Sequence, residues 1–399
     1  MSCDLLGVRT LPFTARRNYY YEFKHLMFWG VLAGVVEGQF ASVVVSKTFH
    51  ASERLIAIAT ATPIAAHLFS LPWGMLSVGR RKVRIVVLLA CGVTLCVGTV
   101  TAAPVSPAGA IWFIAQMAVA QVLLTGVLTV RSAFWKSNYP RNVRGQVTAR
   151  LQTVRFVVSV SAVLAASAVC DIYPNAYHYV FPAAAVAGVI AITILPKLHI
   201  RGERSELSRG RRASADNCHL PSAVEPFSMA GLLWPGRVLG QMYRVLRDDR
   251  RFAYYCTAQL FSGLGNLLTI SIIVAVVTRD LDVGETWAFW ISTALIVALP
   301  RIVMLGTFRR WGQLFDRLGV IRFRLVNVCC WTLTLVLGLG ATLATVKLAP
   351  LRPAYLVLAV GLFCLRAITY GLSVGGGALA WNLGHLHFAR PEKAEIYMG

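Results

Sequence analysis

Acidic residues are scarce in this chain. Asp and Glu number 17 in 399 residues, and charged residues of both signs make up only 14%, against roughly 25% in soluble domains. That shortage excludes an ordinary water-soluble domain, because too little charge is available to cover its surface. Catalytic signatures are missing as well: there is no HExxH metal spacing, no nucleophile elbow and no phosphate-cradling glycine loop. His385 and His387 lack an acidic companion between them. The nine cysteines are scattered, with Cys329 and Cys330 adjacent, and they suggest neither a disulfide framework nor a metal cluster. No cofactor and no metal are expected. Residues 1–25 are polar and basic without a cleavage pattern, so the first apolar segment is expected to stay as an uncleaved anchor.

What the chain has in abundance is apolar length. Hydrophobic residues make up 57% of it, and runs free of Asp, Glu, Lys and Arg cover Leu55–Val78, Ile85–Val130, Ile172–Pro196, Phe252–Thr278, Leu325–Val346 and Ala367–Ala389. About 20 helical residues cross a ~30 Å hydrocarbon layer, so several runs qualify alone. Ile85–Val130 is long enough for two spans, divided at Pro104, Pro107 and Gly109. Allowing one or two buried charges gives ten spans, near 26–46, 55–78, 84–104, 108–134, 149–170, 174–197, 252–278, 286–308, 323–346 and 353–383. The length of the segments and the lack of period-two alternation point to helices rather than a barrel. The expected fold is therefore an all-α, polytopic membrane bundle.

The 39 Lys and Arg give a net charge of +22, which could suggest nucleic acid until their positions are read. Arg9, Arg16, Arg17, Lys24, Arg80, Arg81, Lys82, Arg84, Lys136, Arg141, Arg144 and Arg150, with eleven more between Lys197 and Arg251, all fall on one side of the predicted topology. The other side holds Lys47, Arg54, Arg279, Lys347 and Arg352. That asymmetry places the N-terminus in the cytoplasm and accounts for the excess charge without nucleic acid. Four regions follow: a cytoplasmic segment 1–25, a six-helix bundle 26–197, a basic linker 198–251, and a four-helix bundle 252–399. Within the linker, Leu239, Met242 and Leu246 fall at helical spacing while Arg237, Arg244, Arg247 and Arg250 can reach lipid phosphates. It reads either as an interfacial helix or as a solvated tether.

The two bundles repeat a loop. Trp73-Gly74-Met75-Leu76 followed by Gly79-Arg80-Arg81-Lys82 closes the second span, and Trp311-Gly312-Gln313-Leu314-Phe315-Asp316-Arg317-Leu318-Gly319 closes the eighth. Tyr139-Pro140-Arg141 after the fourth span and Ala389-Arg390-Pro391 after the tenth are a second related pair. Loops of one character at matching places imply parallel repeats about an axis along the membrane normal.

On these motifs the chain resembles the major facilitator superfamily of secondary transporters, whose Gly-x-Leu-x-Asp-Arg-x-Gly loop joins the second and third helices of a six-helix unit. Gly312–Gly319 matches in full, whereas the first copy has lost its acidic and basic pair. The resemblance implies pseudo-two-fold repeats, alternating access, and a central cavity lined by helices one, four, seven and ten. It implies twelve helices, so the last two are absent: either the sequence is a fragment of a longer frame or the protein is degenerate, with an impaired gate. The family's proton-antiporter signatures are not evident. The loop residues Gly74, Arg80, Arg81, Gly312, Asp316, Arg317 and Gly319 become gate candidates.

Within the cavity helices, buried charge is the guide, since an ionisable group at mid-membrane costs at least ~2.5 kcal/mol unless paired or wet. Glu37 is read as the one acid deep in a span, turned ~100° from the Gly30, Gly34 and Gly38 stripe. It is a candidate for proton coupling, substrate contact or an ion pair. Arg366 lies about as deep in helix ten, with Tyr370 one turn on. It favours either an anionic or zwitterionic substrate or a plain pair with Glu37. Trp112 and Gln116 on helix four, and Gln259, Ser262 and Asn266 on helix seven, are cavity or packing candidates, Asn266 standing where Glu37 stands in the other half. His67 is read as packing or relay, Arg131 and Arg155 as gate residues near helix ends, with Arg155 within reach of Asp316, and Arg301 as either pore charge or kink partner. The expected function is a transporter of a small solute, with a proton or another ion as a possible co-substrate, monomeric and embedded in cell-membrane lipid. The alternatives are a non-transporting relative and a polytopic membrane enzyme.

Overall fold

In the computed structural model the described residues are 13–77, 80–139, 141–173, 175–203, 246–281, 287–349 and 354–388, with isolated positions between 207 and 243. Most of the basic linker, including Arg237, Leu239, Met242 and Arg244, and the motif from Ala389 onward lie outside them, as do the side chains of Asp316, His385 and His387.

The described residues form helices and no strands. In the first half these are α1 (Phe13–Val36), α2 (Phe40–Lys47), α3 (Glu53–Ala66), α4 (Ser70–Ser77), α5 (Lys82–Thr99), α6 (Pro107–Asn138), α7 (Arg141–Ile172) and α8 (Tyr177–Ile194). In the second half they are α9 (Arg250–Ala275), α10 (Ala288–Thr293), α11 (Leu299–Leu343) and α12 (Ala354–Phe388). Wider π turns extend α9 to Asp280, join α10 to α11 over Ala294–Ala298, and extend α11 to Leu348.

Among the described residues eight helices are each long and apolar enough to cross a membrane, or nine if the bent pair α1 and α2 counts as one span. The second expected span is helical but arrives in pieces. Pro63 lies inside α3, a 3-10 turn occupies His67–Phe69, and α4 follows, so no single stretch reaches spanning length. Two starts are earlier than the apolar runs suggest. Helix α1 begins at Phe13 and α7 at Arg141. The turn at Pro104–Gly109 divides its run as expected: Pro107 opens α6 and Ser106 caps it, accepting from the Gly109 amide at 3.1 Å.

In the first half α1 packs on α7 and α8, α5 on α6 and α8, and α6 on α3 and α4. The glycine stripe of α1 lets it approach the α7 backbone closely. A Cβ at Gly30 would come 3.0 Å from the Arg155 carbonyl oxygen, and one at Gly34 would come 2.9 Å from that of Ser159, so α1 lies directly on the α7 backbone. Rings of Phe49, Phe113, Tyr177 and Phe181 meet at 5.3–5.4 Å and fill the end farther from the N-terminus, hereafter the far end. In the second half α11 doubles back on itself at Gly319, whose φ of 68° is the only non-helical conformation inside it. The glycines of α12 lie against this hairpin: a Cβ at Gly371 would stand 2.4 Å from the Pro300 carbonyl oxygen, and one at Gly376 2.5 Å from the Asn327 amide nitrogen. Gly371 and Gly376 of helix ten serve close packing here.

Candidate functional site

Helix one is broken where its acid sits. Residues Glu37–Gln39 are non-helical between α1 and α2, and Gly38 takes a φ of 85°. The break frees backbone carbonyls inside the bundle, where each must find a donor. Gln121 of α6 donates its side-chain amide to the Val36 carbonyl, and Arg301 of α11 donates to the Glu37 carbonyl at 2.7 Å. Gly38 permits this second bond, because a Cβ there would lie 2.6 Å from Arg301 Nη2.

The Glu37 carboxylate is 15% exposed and pairs with Arg155 of α7, Nη1 to Oε1 at 2.7 Å. Arg301 donates its other terminal nitrogen to Ser159 Oγ at 2.7 Å and lies within the electrostatic reach of both Glu37 and Arg155. The Glu37 carboxylate thus pairs with Arg155 of its own half, while its backbone carbonyl binds Arg301 of the other half, whose guanidinium lies in the carboxylate's field. Arg155, expected near a helix end within reach of Asp316, sits mid-helix instead because α7 starts at Arg141. The expected alternative of a Glu37 pair with Arg366 is replaced by the pair with Arg155.

Arg366 of α12 is 1% exposed. Its guanidinium lies 4.5 Å above the Tyr370 ring, its Nε has no hydrogen-bond partner, and among the described residues it meets no acid. Tyr370 stacks edge-on against Trp331 at 5.6 Å and is also an electrostatic partner of Arg301. Glu37, Arg155, Arg301, Tyr370 and Arg366 thus form one polar sequence across the two halves.

The other sequence candidates fall elsewhere. Trp112 is 57% exposed, and Gln116 donates to Thr99 Oγ1 of α5, so the structure places this pair on the α5 side of helix four, away from Glu37. On that helix Gln121, five residues on, reaches the break instead. Gln259 is held in a second-half network: it accepts from Arg324 and donates to the Tyr255 hydroxyl at 2.9 Å, which donates to the Ala380 carbonyl at 2.8 Å. Ser262 and Asn266 are half-buried, and Asn266 makes no hydrogen bond among the described residues. His67 is exposed and feels the Glu37 charge.

A second buried acid goes unread in the sequence. Glu22 of α1 is 0% exposed; it accepts from Trp135 Nε1 at 2.6 Å and from the Tyr139 hydroxyl at 3.1 Å, with Arg131 3.8 Å away. Glu37 is therefore not the sole acid inside the bundle. Glu22 is hidden by its setting among Arg16, Arg17 and Lys24; the signal that could have shown it is the helical spacing of Glu22, His25 and Trp29, all buried on one face.

Of the gate residues, Gly74 would bring a Cβ to 3.6 Å from Thr129, beside Trp73, whose indole donates to the Val122 carbonyl at 3.0 Å. Arg80 and Arg81 are exposed, and the next residue is tied down by Glu203 accepting from the Lys82 amide at 3.0 Å. Gly312 and Arg317 lie on the last turns of the first arm of α11, which remains helical up to Gly319, and a Cβ at Gly312 would meet nothing within 4 Å. The expected eight-residue loop is thus helix ending in a one-residue reversal. Replacing Trp73 by Phe keeps an aromatic ring but removes one buried hydrogen bond and the indole's five-membered ring, leaving a small void; we expect a loss of about 1–3 kcal/mol, read as a fall in the melting temperature in detergent.

Several hydrogen bonds join the halves at the far end. Beyond the break, toward the far end, Ser46 pairs with Thr278 at 2.6 Å, Ser167 with Thr293 at 2.7 Å, and Arg279 donates to the Ala51 carbonyl. Asp171 at the end of α7 accepts from the Phe289 and Trp290 amides at 2.7 and 2.9 Å, capping the start of α10 from the opposite half.

The sequence profile of the Major Facilitator Superfamily matches residues 26–399. The chain belongs to that superfamily. Solved structures agree on the fold. A nucleoside transporter, NupG, in a point-mutant form, aligns with a TM-score of 0.66 at 12% identity, covering 96% of this chain and 86% of that one. The xylose transporter XylE from E. coli, in a partially occluded inward open conformation, aligns at 0.55 and 9% identity, covering 96% and 89%. The peptide transporter POT in complex with sulfate aligns at 0.52 and 15% identity, covering 97% and 91%. No curated protein matches the chain. Membership of this superfamily makes the protein a multi-pass membrane transporter rather than an enzyme.

Proposed function

We propose that the protein moves a small solute by alternating access between its six-helix and four-helix parts, and that Glu37 couples a proton to that movement. The observation that carries this reading is the charge cluster at the helix break, where the Glu37 carboxylate pairs with Arg155 of its own half and lies in the field of Arg301 of the other, which binds the Glu37 carbonyl. Protonation removes the negative charge between them. Two guanidiniums then face each other with no counter-charge, and their repulsion favours separation of the halves at mid-depth. The bonds between the halves at the far end support a resting state closed there, which alternating access leaves open toward the opposite face. The basic residues around Arg80–Arg84 and Arg141–Arg150 support the N-terminus and that open face being cytoplasmic. We place the protein as a monomer in the cell membrane.

Uptake into liposomes reconstituted with the purified protein, with and without an imposed pH gradient, tests the reading. Accumulation that depends on the gradient supports it. Facilitated exchange that ignores the gradient would retain the transporter and remove Glu37 as its proton site.

A further inference from the structure

Among the described residues, charge within the bundle does not balance. Glu22 is matched by Arg131, but around the helix break a single acid, Glu37, stands against Arg155, Arg301 and, on the far side of Tyr370, Arg366. Arg301 spends both terminal nitrogens on neutral oxygens, Ser159 Oγ and the Glu37 carbonyl. Arg366 has only the face of a tyrosine ring, worth ~2 kcal/mol or somewhat more when desolvated. An unpaired guanidinium taken out of water costs several kcal/mol after relaxation, so a purely structural role leaves Arg366 unexplained. A buried Met or Gln would fill the same space without that cost.

We propose that the second-half residues Arg301, Tyr370 and Arg366 receive an oxyanion, and that the transported solute is a small organic anion. The inference rests on the transporter reading and names its substrate class. Guanidinium nitrogens match the geometry of a carboxylate or phosphate. Tyr370 provides a hydroxyl within the field of Arg301, while its ring and that of Trp331 offer an apolar wall to the rest of the solute. The same charge count fits the proton. Protonating Glu37 leaves three cations, and an arriving anion offsets one of them, so proton and anion favour each other's binding.

Thermal unfolding of the purified full-length protein tests this with stated probes: sodium lactate, benzoate, succinate and glycerol 3-phosphate as anions, with glucose, uridine and dialanine as neutral or zwitterionic controls. At least one anion is expected to raise the melting temperature by a few degrees, as a ligand bound only to the folded state must, and the controls are not. Arg366→Gln is expected to unfold at the same or a higher temperature than the parent without ligand, and to lose the anion shift. Arg366→Lys keeps the charge and retains part of it, and Arg301→Gln is a second, independent loss. A shift from a neutral control alone, or an anion shift unchanged in both Gln variants, overturns the anion site while leaving a transporter in place. Absence of a shift from every anion, with gradient-driven uptake of a neutral solute in liposomes, does the same. Absence of both shift and uptake of any probe defeats the anion site and the transporter reading together.

Discussion

Glu37→Gln is expected to abolish gradient-driven accumulation while leaving exchange of solute across the liposome membrane. Gln keeps the size and a hydrogen-bonding oxygen for Arg155 but cannot change charge, so the variant is held permanently in the form that protonation reaches only transiently. Its two guanidiniums always lack their counter-charge. Stability separates this from simple misfolding. Removing one member of a buried pair costs on the order of 3–5 kcal/mol because the survivor stays buried and uncompensated, so Glu37→Ala is expected to lower the melting temperature strongly. Pairing the change with Arg155→Gln removes one of the orphaned cations and recovers part of that loss; the two changes are in direct contact, so they do not add. The measurements are uptake with and without a pH gradient and thermal unfolding of the single and double variants. Accumulation by Glu37→Gln at the parent's level would show that the proton, if one moves, is carried elsewhere.

That cluster is half legible in the sequence. Glu37 stands out as an acid in an apolar run, and Gly30 and Gly34 as a packing stripe, because both signals are local: composition and helical period. Its partners are not local. Arg155 is placed by the edge of its apolar run, yet α7 begins eight residues before the expected 149, at Arg141, and the shift turns a residue near a helix end into a mid-bundle cation. Arg301 is conspicuous beside Pro300 but has no assignable partner in the sequence, since its two acceptors lie 142 and 264 residues away. The helix break that creates one of those acceptors depends on Gly38, which reads in sequence as part of a packing stripe. Trp112 and Gln116 show the converse limit: helical period puts them on one face, but only the rotation of α6 in the bundle decides that this face meets α5 while Gln121 faces the break. A membrane bundle of apolar helices is readable because it follows from the chain alone, although the expected ten spans come as eight, or nine with the bent pair, among the described residues; which cation meets which anion follows from how the helices pack together.

Asp171→Ala is expected to open the far end. In the structure this carboxylate, at the tip of α7, accepts from two successive amides at the start of α10, at 2.7 and 2.9 Å. It is a helix cap supplied by the opposite half of the molecule, on free amides that carry the positive end of a helix dipole. Hydrogen bonds to a charged group contribute roughly 1.5–3 kcal/mol each. Losing the pair therefore removes on the order of 3 kcal/mol of preference for the closed far end, about a hundredfold in the balance between the two states. The bonds Ser46–Thr278 and Ser167–Thr293 join neutral hydroxyls and hold less, so Ser46→Ala or Ser167→Ala is expected to shift the balance by less than about tenfold. Spin labels at Val105 and Leu348, both exposed at the far end and one on each half, report the result directly. The distance between them should lengthen in Asp171→Ala and recover in Asp171→Glu, with the fold intact by melting temperature. Asp171 acts within a single half if the distance distribution stays that of the parent, and the far-end bonds would then describe packing rather than a gate.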